Sequence, residues 1–213
     1  MMIKIVFFDC DGTLTPIRSS WEYLHRRLDL WDANADEFQR LFREGKIDYY
    51  EFCRRDAALW KGLPLGEVLD IIGEIPYHQG TREVLDLLNQ QGTKTVILST
   101  GLSFLVERVQ KELGIHHSIS NHLLVKEGLL TGEIRIDIEH DNKGFWVDRI
   151  LEDLRIAPEE AAAVGDGEGD RGMFEAVGLR IGYHPQAQIL PLLDHAISDG
   201  SFERVGAILR EHC

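Results

Sequence analysis

The chain has little cysteine and little proline, and no apolar run in it is long enough to cross a membrane. Its three cysteines, Cys10, Cys53 and Cys213, are widely spaced and odd in number. That argues against a disulfide framework and for a reducing, cytoplasmic setting. Cations are scarce too: 23 Lys plus Arg face 36 Asp plus Glu, a net charge of −13. Such a field repels nucleic acid and anionic membranes, so neither is an expected partner. The first apolar run, Ile3 to Phe8, is short, interrupted by Lys4 and followed by acidic residues, unlike a signal peptide. Internal repeats and low-complexity tracts are absent.

What is present is enough for one sizeable core and a smaller accessory unit: 213 residues, 44% of them hydrophobic. Ile3 to Phe8 reads as a buried strand ending at Asp9, and Thr93 to Leu98 as a second, after a helix from Thr81 to Gln91. Ala161 to Val164 and Leu179 to Ile181 suggest two more. Helical stretches from Ser103 to Leu113 and from Lys143 to Leu154 lie between the strands. This alternation predicts an α/β fold with a mostly parallel sheet covered on both faces. Asn121 to Ile138 predicts a hairpin turning at Lys126-Glu127-Gly128. From Arg18 to Glu74 the period is helical throughout, with Trp21, Leu24 and Leu28 on one face and Pro64 at a helix start. The expected organisation is a discontinuous core, residues 1–15 and 76–213, with a helical insertion over residues 16–75.

In a parallel sheet, ligands gather outside the carboxyl ends of the strands. Those ends carry Asp9-Cys10-Asp11-Gly12-Thr13, then Ser99-Thr100-Gly101, then Gly165-Asp166-Gly167-Glu168-Gly169-Asp170, while Lys143 opens a helix just before the last. Each alone has a bland reading: a turn, a strand-end cap, a solvated lysine. Neither acidic loop meets the EF-hand pattern, because Ser20 and Val177 stand where the terminal Glu belongs. Together the motifs place several carboxylates, a hydroxyl and one ammonium in one crevice. Clustered carboxylates need a cation, and hard oxygen donors suit Mg²⁺.

These motifs resemble the haloacid dehalogenase superfamily and, within it, its phosphoserine phosphatase-like branch. The similarity extends through Glu44-Gly45-Lys46, Leu63-Pro64, Leu129-Leu130-Thr131-Gly132 and Gly172-Met173-Phe174, and so spans almost the whole chain. It implies a Rossmann-like core whose helical insertion is a cap, and a Mg²⁺-dependent phosphatase acting on a small-molecule phosphate monoester. By the same resemblance Asp9 is the nucleophile and Asp11 the acid–base group. Asp9, Asp166 and the Asp11 backbone carbonyl hold the metal. Lys143, Ser99 and the Thr100 N–H bind the phosphoryl oxygens, and Asp170 orients Lys143. A phosphotransferase passing the group from Asp9 to an alcohol is the alternative, and a non-catalytic phosphate- or metal-binding regulator a weaker one.

Two departures stand out. Gly169 replaces an Asn usual in the branch. The charges expected to read the substrate are inverted, with Arg18 for a Glu and Asp56 for an Arg. Arg18 and Asp56 therefore either contact a different substrate or pair with each other across the cap. Trp21 and Trp60 are expected in the cap core, Cys53 as an inert thiol, and His116 and His117 away from the chemistry. Glu168 is either exposed or a ligand through water.

Overall fold

The computed structural model describes residues 2–30 and 33–212, leaving Cys213 outside the described residues. Its centre is β1 (Ile5–Phe8), every residue of which is buried. The two-residue period of a strand sends Ile5 and Phe7 into one apolar layer and Val6 and Phe8 into the other. Parallel pairing with β2 (Lys94–Leu102) on one side and β5 (Ala161–Gly165) on the other fixes its register, Phe8 lying beside Ile97 and Val164. The full sheet has seven strands in the order β4-β3-β2-β1-β5-β6-β7. The outer ones are β3 (His117–Lys126), β4 (Leu129–Arg135), β6 (Leu179–Tyr183) and β7 (His195–Ile197). Only β4 runs antiparallel. It is the return of the expected hairpin, whose turn residues Glu127 and Gly128 both have positive φ, 53° and 78°.

Helices α5 (Thr81–Gln90), α6 (Ser103–Leu113) and α9 (Glu203–Arg210) cover one face, and α7 (Lys143–Leu154) and α8 (Arg171–Glu175) the other. Between β1 and α5 come α1 (Ser20–Arg27), α2 (Ala33–Arg43), α3 (Tyr49–Leu59) and α4 (Leu65–Gly73). Ser19 and Asp48 cap α1 and α3 through side-chain oxygens that accept the Glu22 and Glu51 N–H groups. Pro64 caps α4 and also forms a bridge to Leu129 of β4. The insertion is not a detached lid. Its buried Trp60, Leu24 and Val68 belong to the same apolar cluster as Phe8 and Val106.

Candidate active site

The chain leaves β1 at Asp9, whose N–H still donates to the Val164 carbonyl at 2.9 Å, and leaves β5 at Asp166. Because these strands are neighbours, the two carboxylates emerge side by side. The loop after β1 can lie against Asp166 only because residue 12 is glycine. Its φ is +89°, and a Cβ there would sit 2.7 Å from Asp166 Oδ2. Lys143, first residue of α7, sends its ammonium between the strand ends, 2.7 Å from Asp9 Oδ1 and 2.7 Å from Asp170 Oδ1. The other Asp170 oxygen accepts the Asp166 and Gly167 N–H groups at 2.9 and 3.0 Å. Both Asp170 oxygens are therefore occupied by donors, and the residue serves to fix the lysine and the loop.

Burial pushes the Asp9 carboxyl well above its ordinary value; the Lys143 charge opposes this and Asp170 and Asp166 reinforce it. Asp166 is raised by burial and then by Asp170. For Lys143, burial acts downward, but the Asp170 and Asp9 carboxylates more than reverse it and hold the ammonium charged. One buried cation, with the exposed Arg18 besides, thus sits among three buried carboxylates. Asp9, Asp166 and Asp170 each offer an oxygen within 4.8 Å of the others. With Asp170 filled, Asp9 and Asp166 remain as hard oxygen donors in need of positive charge, which fits Mg²⁺.

Asp11 is held by the insertion. Its Oδ2 accepts the Ser20 N–H at 2.6 Å and the Ser20 hydroxyl at 2.8 Å. Ser20 Oγ in turn accepts the Leu102 N–H at 2.9 Å. Asp11 Oδ1 is buried without a partner, and burial, opposed by the two Ser20 bonds, raises its carboxyl. Ser99 and Thr100 lie within β2 rather than beyond it, because the strand continues to Leu102 with an irregular register after Leu98. Such a bulge turns backbone groups toward a site. Ser99 Oγ accepts the Gly101 N–H at 3.1 Å. The Thr100 carbonyl receives three donors: Trp21 Nε1, the Tyr49 hydroxyl and Asn121 Nδ2.

A cavity of about 740 Å³ opens above these groups, lined by Asp9, Asp11, Thr100, Lys143, Asp166 and Asp170 among others. Arg18 and Asp56 both line it, but they do not pair with each other. Arg18 Nη1 stands 3.6 Å from Asp166 Oδ2 with its side chain largely exposed. Asp56 is buried 3.5 Å from His25 Nε2. The chain geometry separates the two: Arg18 precedes α1 at the mouth, whereas Asp56 faces inward from α3. Trp21 and Trp60 stack at 5.4 Å in the core, Trp21 also reaching the cavity. Burial lifts the Cys53 thiol to about 12, consistent with an inert group. Glu168 pairs on the exposed surface with Arg171. His116 bonds Thr95, away from the cavity.

Sequence reasoning missed Ser20, Tyr49, Asn121 and His140. Ser20 follows a Ser19 helix cap and looks redundant with it, and the other three act only through distant partners. His140 lines the cavity, its ring beside Tyr49 at 5.1 Å and Phe42 at 6.1 Å.

The family model for haloacid dehalogenase-like hydrolases matches residues 6–175, and the chain belongs to that family. Within it the chain is phosphoserine phosphatase-like. It is 30% identical over 208 residues to a phosphoserine phosphatase of Archaeoglobus fulgidus, covering 97% of this chain and 60% of that protein. A second, from Methanocaldococcus jannaschii, is 29% identical, covering 84% of this chain and 85% of that one. A solved structure of the phospho-aspartyl intermediate analogue of phosphoserine phosphatase superposes with a TM-score of 0.84 and 25% identity, over 98% of this chain and 100% of the other.

Proposed function

We propose that the protein is a Mg²⁺-dependent phosphomonoester phosphatase whose Asp9 carboxylate attacks phosphorus and carries the group as an aspartyl-phosphate. The observation that supports this most is Lys143, buried and clamped between Asp9 and Asp170 at the cavity floor. Its ammonium neutralises the phosphoryl oxygens while Asp170 holds it in place. The Ser99 hydroxyl and the Thr100 N–H add neutral donors to the same oxygens. Asp11, whose Oδ1 has no protein partner and which lines the cavity, gives a proton to the leaving alcohol and then accepts one from the hydrolytic water. A carboxylate about 4 Å from a phosphate dianion meets about 8 kcal/mol of repulsion at an effective dielectric near ~20. Asp9, Asp166 and the Asp11 backbone carbonyl would hold Mg²⁺, whose charge would offset that repulsion.

The preferred ester is not phosphoserine. A phosphoserine site needs a negative group at the ammonium and a positive one at the carboxylate, and Arg18 and Asp56 in those places reverse both. Arg18 at the mouth suits an anionic or hydroxylated tail. The expected outcome for Asp9→Asn is loss of phosphate release with an unchanged melting temperature; turnover within about tenfold of wild type would refute the covalent mechanism. EDTA should abolish activity and Mg²⁺ restore it. On a panel of L-phosphoserine with sugar, polyol and nucleoside monophosphates, phosphoserine should not lead in kcat/KM. A lead of about a hundredfold would overturn the specificity reading.

A further inference from the structure

Gly169 has no backbone reason to be glycine: it is not among the glycines with positive φ. The reason is across the cavity. A Cβ on residue 169 would lie 2.7 Å from His140 Nδ1. The imidazole thus fills the space into which a side chain at 169 would grow, one residue before Asp170, which grips Lys143. The ring is also held from behind. Tyr49 meets it edge-on at 5.1 Å and Phe42 lies nearly parallel at 6.1 Å. Its loop is pinned by Asn121, whose side chain bonds the Asp137 and Ile138 N–H groups and the Ile138 carbonyl. Trp146 donates to the Asp137 carbonyl and Asn142 accepts the Glu139 N–H. The other side of the ring opens on the cavity.

We propose that His140 reads the substrate's phosphate group, supplying a polar contact from the loop before α7 in the cavity it shares with Asp9 and Lys143. This rests on the phosphatase reading above. An imidazole carries both a donor and an acceptor, and here its environment supports the neutral ring: burial, then the Lys143 charge, pushes it below its ordinary value. The exchange is reciprocal, since an imidazole at 140 and a side chain at 169 would meet in the same space.

The test uses inorganic phosphate with Mg²⁺ and the full chain, with binding by calorimetry and turnover of p-nitrophenyl phosphate read separately. His140→Phe keeps a ring and removes its polar atoms. It should weaken phosphate binding by about tenfold or more and raise KM more than it lowers kcat. His140→Ala should lose as much, and His140→Ala with Gly169→Asn should regain most of it. Gly169→Asn with His140 retained should bind worse than that double variant, because two side chains then compete for one space. Melting temperatures identify any variant that fails to fold. Wild-type binding in His140→Phe, or no recovery in the double variant, overturns the proposal. His140-dependent phosphate binding without turnover of any ester would sink the phosphatase reading and leave this contact standing.

Discussion

Asp11 is two residues from Asp9, yet it is presented by a different part of the molecule. Both bonds to its Oδ2 come from Ser20, at the first position of α1. The group proposed to move protons is therefore positioned by α1, which also lines the cavity through Trp21 and Glu22. Asp11→Asn should slow alkyl phosphates far more than p-nitrophenyl phosphate, whose leaving group needs little protonation. Equal loss on both esters would remove Asp11 from that role. Ser20→Ala deletes one of the two donors and should reproduce the alkyl-ester defect in milder form, about tenfold, with p-nitrophenyl phosphate little changed. At this scale the gathering of Asp9, Asp11, Lys143 and Asp166 in one cavity was legible, because each follows a strand or opens a helix in a recognisable string. Ser20 was not, because its function is a contact made nine residues away. Nor was His140, whose meaning depends on the space left by Gly169.

The elements themselves were legible where periodicity was long and ends were marked. Helices α6 and α7 begin at Ser103 and Lys143 and end at Leu113 and Leu154, as the pattern predicts. The three-residue β7, the five-residue α8 and the short α9 carry too few residues for a period to register. The extension of β2 through Ser99 and Thr100 was also hidden, because polar residues at a bulge look like a loop. That bulge is where the insertion grips the sheet. Trp21 from α1, Tyr49 from α3 and Asn121 from β3 converge on one carbonyl, that of Thr100. Tyr49→Phe removes the hydroxyl that donates to Thr100 and accepts from Asn121. The expected cost is about 1–2 kcal/mol, read as a fall of a few degrees (~2–6 °C) in melting temperature. Because the same residue's N–H is assigned to the phosphoryl group, KM for any phosphate ester should rise as well. A lower melting temperature with unaltered KM would make the contact purely structural.

Across the whole molecule, the site and the fold share their most costly feature. Asp9 and Asp166 cap two central, adjacent strands, and the protein carries a net charge of −13. Asp9, Asp11 and Asp166 all have native carboxyl values raised above the ordinary one, burial being the largest cause in each. Between the ordinary and the raised values, the native metal-free protein holds more protons than the unfolded chain. Its stability therefore declines as pH rises through that window. Mg²⁺ binds the ionised carboxylates and must displace those protons, so its stabilising effect grows with pH. In EDTA the melting temperature should be higher at about pH 5.5 than at about pH 8, and the increase on adding saturating Mg²⁺ should be larger at the higher pH. General charge repulsion also weakens the fold at higher pH, but it is common to both metal conditions, so the Mg²⁺-dependent difference isolates the site. Asp166→Asn removes one ionising donor and should abolish most of that difference. An Mg²⁺ shift that is equal at both pH values, or larger at the lower one, would mean that these carboxylates do not hold the metal.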